Sequence, residues 1–143
     1  MARHLGDDFL QPVLDPSNTP WFTSGEVTVQ FCDDCDAAQH PPEELCRGCG
    51  STALAFRALP GGGTVESAVV VEHPVHPGLV ERCPYVVAVV SLDGAPGCNA
   101  IGNVVGCAPG DVAIGDRVRA VFEEARTPGG ELLRIPQCER VVE

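Results

Sequence analysis

From residue 60 onward, apolar and polar positions alternate with a period of two and are interrupted at short intervals by turn residues, which predicts short antiparallel strands. Thr64 to Glu72 places Val65, Ser67, Val69 and Val71 on one face. Tyr85 to Leu92 reads as a buried strand that ends at an Asp93-Gly94 turn. Ala100 to Val105, Arg117 to Glu123 and Leu132 to Val142 supply three more strands, with Gly115-Asp116 and Gly129-Gly130 as turns. Five short strands without a 3.6-residue period predict a small barrel rather than a parallel α/β sheet, and five is the strand count of an OB-fold.

Upstream the pattern changes. Glu26-Val-Thr-Val-Gln-Phe31 alternates and predicts a strand running into a cysteine pair, and Ala53 to Leu59 predicts a return strand. Asp15-Pro-Ser-Asn-Thr-Pro-Trp-Phe22 offers N-cap residues and early prolines, so a short helical turn closed by Gly25 is expected. Pro60-Gly61-Gly62-Gly63 breaks the chain before the barrel and reads as a flexible strand entry, since it lacks the Lys-Ser/Thr of a phosphate loop. The expected fold is mainly β: a short N-terminal helical arm (residues 1–25), a rubredoxin-like metal ribbon (26–59) and a five-stranded OB-fold domain (60–143).

The cysteines change this picture most. Of eight, four form two tight pairs, Cys32-Asp-Asp-Cys35 and Cys46-Arg-Gly-Cys49. Two residues between cysteines let both sulfurs reach one ion at ~2.3 Å, and two such pairs complete a tetrahedral shell. Cys32, Cys35, Cys46 and Cys49 are therefore expected to bind one structural zinc ion. The shell leaves no open position for water, and Gly48 and Gly50 suit the tight turn. An iron ion in the same four-sulfur cage would instead make the chain a rubredoxin-like electron carrier.

Charge narrows the partners. All nine basic residues are arginine, and 20 acidic residues give a net charge of −11. Nucleic-acid affinity comes mainly from basic groups that release counterions, so this composition argues against the nucleic-acid reading that ribbons and OB barrels invite. The longest apolar run is far short of the ~20 residues of a membrane helix. No apolar segment follows Arg3 as in a secretory signal. A cytoplasmic location without membrane contact is expected.

No catalytic residue is expected. His73-Pro-Val-His76-Pro resembles a metal pair, but the prolines enforce extended backbone and the segment reads as an exposed loop. His40, inside the knuckle spacer, is expected at the surface. Cys83, Cys98, Cys107 and Cys138 lack paired spacing and read as buried inert thiols. The acidic pairs Asp33-Asp34, Glu43-Glu44 and Glu123-Glu124 read as solvated surface. Trp21-Phe22 admits two readings: an aromatic anchor for a partner protein, or cover for the chain's own core.

The order of features adds a resemblance. Trp21-Phe22, a strand ending at Cys32, Gln39-His40-Pro41-Pro42, Cys46-Arg-Gly-Cys49-Gly50-Ser51, Gly61-Gly62-Gly63-Thr64-Val65-Glu66-Ser67, Cys83-Pro84-Tyr85-Val86-Val87-Ala88-Val89-Val90, Asn103-Val104-Val105-Gly106-Cys107 and Ile114-Gly115-Asp116-Arg117-Val118 follow one another. From about Trp21 onward this resembles the zinc-ribbon/OB-fold family associated with acyl-CoA metabolism. The resemblance implies a non-catalytic accessory subunit that binds a thiolase-like enzyme in a heterotetramer or larger hetero-oligomer, and reaches acyl-CoA through that complex. Relatives assist aldolases of steroid side-chain degradation, act as scaffolds in thiolase complexes, or are fused to enoyl-CoA hydratases. Two departures are visible. Glu43-Glu44 follows Pro42 where relatives often carry arginine, and the Trp21–Gly25 segment is short.

Overall fold

The computed structural model describes Leu5 and residues 9–142. The start of the 1–25 arm, with the segment around Arg3, lies outside the described residues, as does the last residue of the 60–143 segment. The arm folds as expected into one short helix, α1 (Thr19–Thr23). The Asp15 carboxylate accepts the Ser17 and Asn18 amides at 2.8 and 2.9 Å, which organises the turn before the helix. The amide of Asn18 and that of Ser17 hold the Asp15 carboxyl below its usual range despite the opposing cost of desolvation. Gly25, at φ 73°, reverses the chain into the first strand.

Strands β1 (Thr28–Cys32), β2 (Ala38–Gln39) and β3 (Leu54–Ala58) form an antiparallel sheet in the order β2-β1-β3. All five residues of β1 are buried, so its alternating pattern does not separate a wet face from a dry one. Val29 and Phe31 pack with Ala95 and Cys98. The opposite, polar face is buried against the spacer between the cysteine pairs. There the Gln30 side chain accepts from Gln39 Nε2 (2.6 Å) and the Glu43 amide (3.0 Å), and donates to the Glu43 carbonyl (2.9 Å). Gln39 in turn donates to the Leu45 carbonyl and accepts the Arg47 amide. Two buried amides thus replace water for the spacer's backbone.

The remaining strands are β4 (Gly62–Val71), β5 (Tyr85–Leu92), β6 (Asn99–Val105), β7 (Arg117–Arg126) and β8 (Leu132–Arg140). They close into a barrel in the order β4-β5-β6-β8-β7, and β7 returns to β4. Only the β6–β8 pair is parallel. This is the OB-fold connectivity. Val65, Val86, Ala88, Val90, Val104 and Val118 fill the interior. Gly63 faces the same interior. A Cβ there would stand 2.5 Å from Val90 Cγ1 and 2.6 Å from the Ser91 carbonyl oxygen, so glycine serves close packing rather than flexibility.

One predicted face is wrong. Val65 pairs with Val90, but Ser67 pairs with Val89, so Glu66 is the extra residue of a β-bulge. The bulge moves Ala68 and Val70 to the inward set, opposite Ala88 and Val86, and turns Val69 outward at 59% exposure. The sequence pattern could not show this, because valines occupy both phases. Among the described residues, no helix is long and apolar enough to cross a membrane.

Candidate metal centre

The two cysteine pairs sit on knuckles of the same construction. In the first, the Cys32 amide donates to the Ala37 carbonyl at 2.9 Å and the Asp36 amide to the Cys32 carbonyl at 2.8 Å. In the second, the Cys46 amide donates to the Ser51 carbonyl and the Gly50 amide to the Cys46 carbonyl, both at 2.9 Å. The fifth residue of each knuckle has positive φ, 63° at Asp36 and 77° at Gly50. Gly50 therefore plays the expected role. In the first knuckle an aspartate does the same, one of the few non-glycine residues that tolerate this region. Gly48 has no positive φ, and its amide points at Cys46 Sγ at 3.3 Å. The Cys35 amide approaches Cys32 Sγ at 3.5 Å.

These turns bring all four sulfurs within 4.8 Å of one another, with Cys32–Cys49 and Cys35–Cys46 each at 3.6 Å. A tetrahedral ion with bonds of ~2.3 Å requires sulfur separations of ~3.8 Å, so the cluster fits one zinc ion. Cys32 and Cys46 are buried, while Cys35 and Cys49 face solvent. The thiols also differ in acidity. The Cys49 and Gly48 amides pull Cys46 down to about 7. Cys49 accepts the Ser51 amide, which lowers its value, but proton sharing with Cys32 and Cys35 pushes it up to about 12. Without a cation, four thiolates this close repel one another; a dication removes that conflict and closes the coordination shell. Zinc bound there would supply cross-linking and no open coordination position.

Charged and aromatic side chains fasten the first knuckle to β3. Arg57 donates to Asp36 at 2.7 Å and Asp33 at 3.1 Å, and its guanidinium lies 4.6 Å from the centre of the Phe31 ring. Ser51 Oγ, beside the second pair, donates to the Asp34 carboxylate.

His40 departs from the expected surface position. Its ring packs against Trp21 with centroids 4.5 Å apart and planes inclined by 33°, its Nδ1 is buried without a hydrogen-bond partner among the described residues, and burial, aided by the nearby charge of Arg47, lowers its pKa. Trp21 packs against the Val29–Phe31–Ala95–Cys98 cluster, while Phe22 beside it is partly exposed. Glu123 is likewise not solvated: it is 3% exposed, and its carboxylate accepts the Leu5 amide at 2.9 Å. Glu124, on the opposite face of the strand, is exposed as expected. His73 is exposed, and His76 turns its Nδ1 to the Gly78 amide at 3.0 Å, capping a single helical turn. The four unpaired cysteines are apart from the cluster. Cys98 is buried, Cys83, Cys107 and Cys138 are partly buried, and burial raises Cys138 to about 11. Gln30 and Gln39, which hold the spacer, are the residues that sequence reasoning missed. Polar positions on a strand entering a metal site were the available signal.

A closed four-cysteine shell on a three-stranded sheet, joined to an OB barrel, defines a zinc-ribbon/OB-fold protein. Residues 23–55 match the family model for the rubredoxin-like zinc ribbon domain of ChsH2, and residues 56–123 match that for the ChsH2 C-terminal OB-fold domain. A DUF35 domain-containing scaffold protein of Methanocaldococcus jannaschii is 33% identical over 101 residues, 70% of each chain. The chain belongs to this DUF35 family. It is also 35% identical over 108 residues to a probable enoyl-CoA hydratase alpha subunit of Thermomonospora curvata, covering 73% of this chain and 33% of that protein. It therefore spans about a third of the length of that relative. Among solved structures, a chain of an Ltp2-ChsH2(DUF35) aldolase superposes with a TM-score of 0.77 at 32% identity, covering 92% of this chain and all of that one.

Proposed function

We propose that this chain is a zinc-containing accessory subunit that binds and stabilises a thiolase-superfamily enzyme acting on acyl-CoA thioesters, in particular an aldolase of steroid side-chain degradation. The observation that carries this reading is the end-to-end likeness to a chain of the Ltp2-ChsH2(DUF35) aldolase, at 32% identity and with both structural units in place. The subunit works in the cytoplasm within a hetero-oligomer, a heterotetramer or larger. Its arm (1–25), ribbon (26–59) and barrel (60–143) act as separate parts, the four cysteines hold one structural zinc, and Phe22, with the part of Trp21 left exposed, contacts the partner.

The chain's acidity assigns the anionic phosphates of CoA mainly to basic groups of the partner, because a chain of net charge −11 repels them. Co-expression with a candidate thiolase-like protein should give a complex that cleaves an acyl-CoA, and neither chain should do so alone. Failure to co-purify with any such candidate would sink the proposal, and tight CoA binding by the isolated chain would contradict the assignment of the phosphates. Likeness to part of an enoyl-CoA hydratase subunit favours a second reading, a scaffold for a hydratase or thiolase. Hydration or thiolysis by the complex in place of retro-aldol cleavage would select it. Metal analysis settles the electron-carrier alternative: one zinc and no visible absorption supports the structural role, and one iron with a red colour supports the carrier.

A further inference from the structure

Strand β4 starts as a closed part of the barrel and ends as an open edge. At Gly62–Thr64 it is paired on both sides, with β7 and, from Gly63, with β5. The next residue is held by the loop before β7: the Val65 amide donates to the Asp116 carbonyl at 2.9 Å, and the Val65 carbonyl accepts the Gly115 amide at 2.8 Å. From Glu66 to Val71, β5 is the only strand that pairs with β4 among the described residues. The bulge at Glu66 bends the strand here, while β7 pairs with β8 along Val118–Arg126. The result is a row of backbone groups of the kind that natural sheets cover, shorten or charge.

The side chains along this edge are apolar. Ser67-Ala-Val-Val-Val71 has no charge, Val69 is 59% exposed, and Val70 is 45% exposed although it belongs to the inward set. The outer face beside the edge continues the surface as far as the arm, whose Leu5, Phe9 and Leu10 line one pocket with Val87 and Ile101. Val69 lies opposite Val87, and the adjacent row sets Val89 opposite Ile101, which is itself exposed. Two acids bracket the segment. Glu66 and Glu72 are both exposed and have no ion-pair partner among the described residues.

We propose that the free edge of β4, from Glu66 to Glu72, is the docking site for an extended segment of the thiolase-like partner subunit whose basic residues meet the two glutamates. This rests on the accessory-subunit reading above. Main-chain hydrogen bonds to the open edge would supply affinity, and the Val69–Val87 surface would select the side chains that lie on it.

The bracketing acids decide the occupant. A second copy pairing antiparallel about Val69 lays Glu66 across from Glu72 at both ends, and a parallel copy sets each glutamate beside its own counterpart. Like charges facing each other across a ladder repel, and each copy already carries a net charge of −11. The edge is therefore guarded against its own kind and open to a strand of opposite charge.

The test uses the full chain and the thiolase-like protein with which it co-purifies, with hydrogen exchange read at residues 67–71 and affinity measured at low and high salt. Protection of those amides in the complex is expected. Glu66→Lys combined with Glu72→Lys should weaken binding by about tenfold or more, with an unchanged melting temperature and a reduced salt dependence. Val69→Asp should weaken binding as well. A complex that forms with these amides unprotected, and tolerates the charge reversal within about twofold, overturns the docking site and leaves the accessory role standing. Protection in the free chain that grows with its concentration makes a second copy the occupant and overturns the proposal. No complex at all removes both readings.

Discussion

Replacing Trp21 with alanine distinguishes an aromatic that braces its own chain from one reserved for a partner. The indole packs against His40 at 4.5 Å and covers the cluster of Val29, Phe31, Ala95 and Cys98 that joins ribbon to barrel. A fully buried tryptophan covers 150–250 Å². Trp21 is partly exposed, so roughly 100 Å² of apolar contact is lost, worth about 2–3 kcal/mol at ~25 cal/mol per Å². His40 supplies a second readout. Burial disfavours its imidazolium and lowers its pKa below 6.5, so the unfolded chain binds that proton more readily than the folded one. The native protein should therefore lose stability as pH falls through about 6.5 toward the lower folded value, and no further from this group below it. Without the indole, His40 rehydrates, its pKa returns toward 6.5, and this contribution flattens. Denaturant titrations from about pH 4.5 to 8, with the His40 ring followed by NMR, measure both effects. A loss below about 0.5 kcal/mol with an unchanged His40 titration would refute the bracing role and return Trp21 to the list of partner anchors.

Other perturbations separate the parts of the molecule. Cys32→Ser, or strong chelation, should release the metal and unfold the ribbon, seen as lost exchange protection in β1 and β3 while β5 stays protected; the metal term is on the order of 10 kcal/mol. Gly63→Ala should cost about 1–3 kcal/mol because its Cβ meets backbone, whereas Gly102→Ala, with nothing within 4 Å, should cost well under 1 kcal/mol. Denaturant midpoints compare the two. Cys138, whose thiol is raised to about 11 by burial, should resist alkylation in the native protein near neutral pH and label fully on unfolding, as read by peptide mass mapping.

The parts legible in the sequence are those governed by local spacing. Two cysteines three apart make a knuckle whatever surrounds them, and a period of two with glycine turns makes strands, so the cluster and all five barrel strands were in view. What stayed hidden depends on partners distant in sequence. The bulge at Glu66 is set by pairing with Val89 and Val90, and valine fits either face. Glu123 reads as surface until the arm is laid over it and Leu5 donates an amide. His40 reads as surface until Trp21, far upstream, packs against it. Gln30 looks like the wet half of an amphipathic strand, yet the spacer folds back and takes both of its acceptor sites and one of its two donors for Glu43 and Gln39.

These long-range contacts also assign the metal its reach. Cys32 is the last residue of β1, and Val29 and Phe31 of that strand seat Trp21 and the turn carrying Ala95 and Cys98. Zinc at the end of β1 therefore fixes the ribbon and the seat of Trp21 on it, whereas the rest of the arm is tied to the barrel, with α1 against β8 and with Leu5 and Gln11 donating to Glu123 and Arg126 of β7. The barrel interior is different: Val65, Val86, Ala88, Val90, Val104 and Val118 all come from barrel strands, and no ribbon residue is among them. Loss of the metal should accordingly disorganise the ribbon and the seat of Trp21, while the barrel, the arm residues bound to it and the open edge of β4 persist. A partner that docks on that edge would then still be captured, though weakly, by the metal-stripped chain. A partner held only by the ribbon and the Trp21 seat would not be captured at all. Binding measured before and after chelation thus tells which of the two surfaces carries the complex.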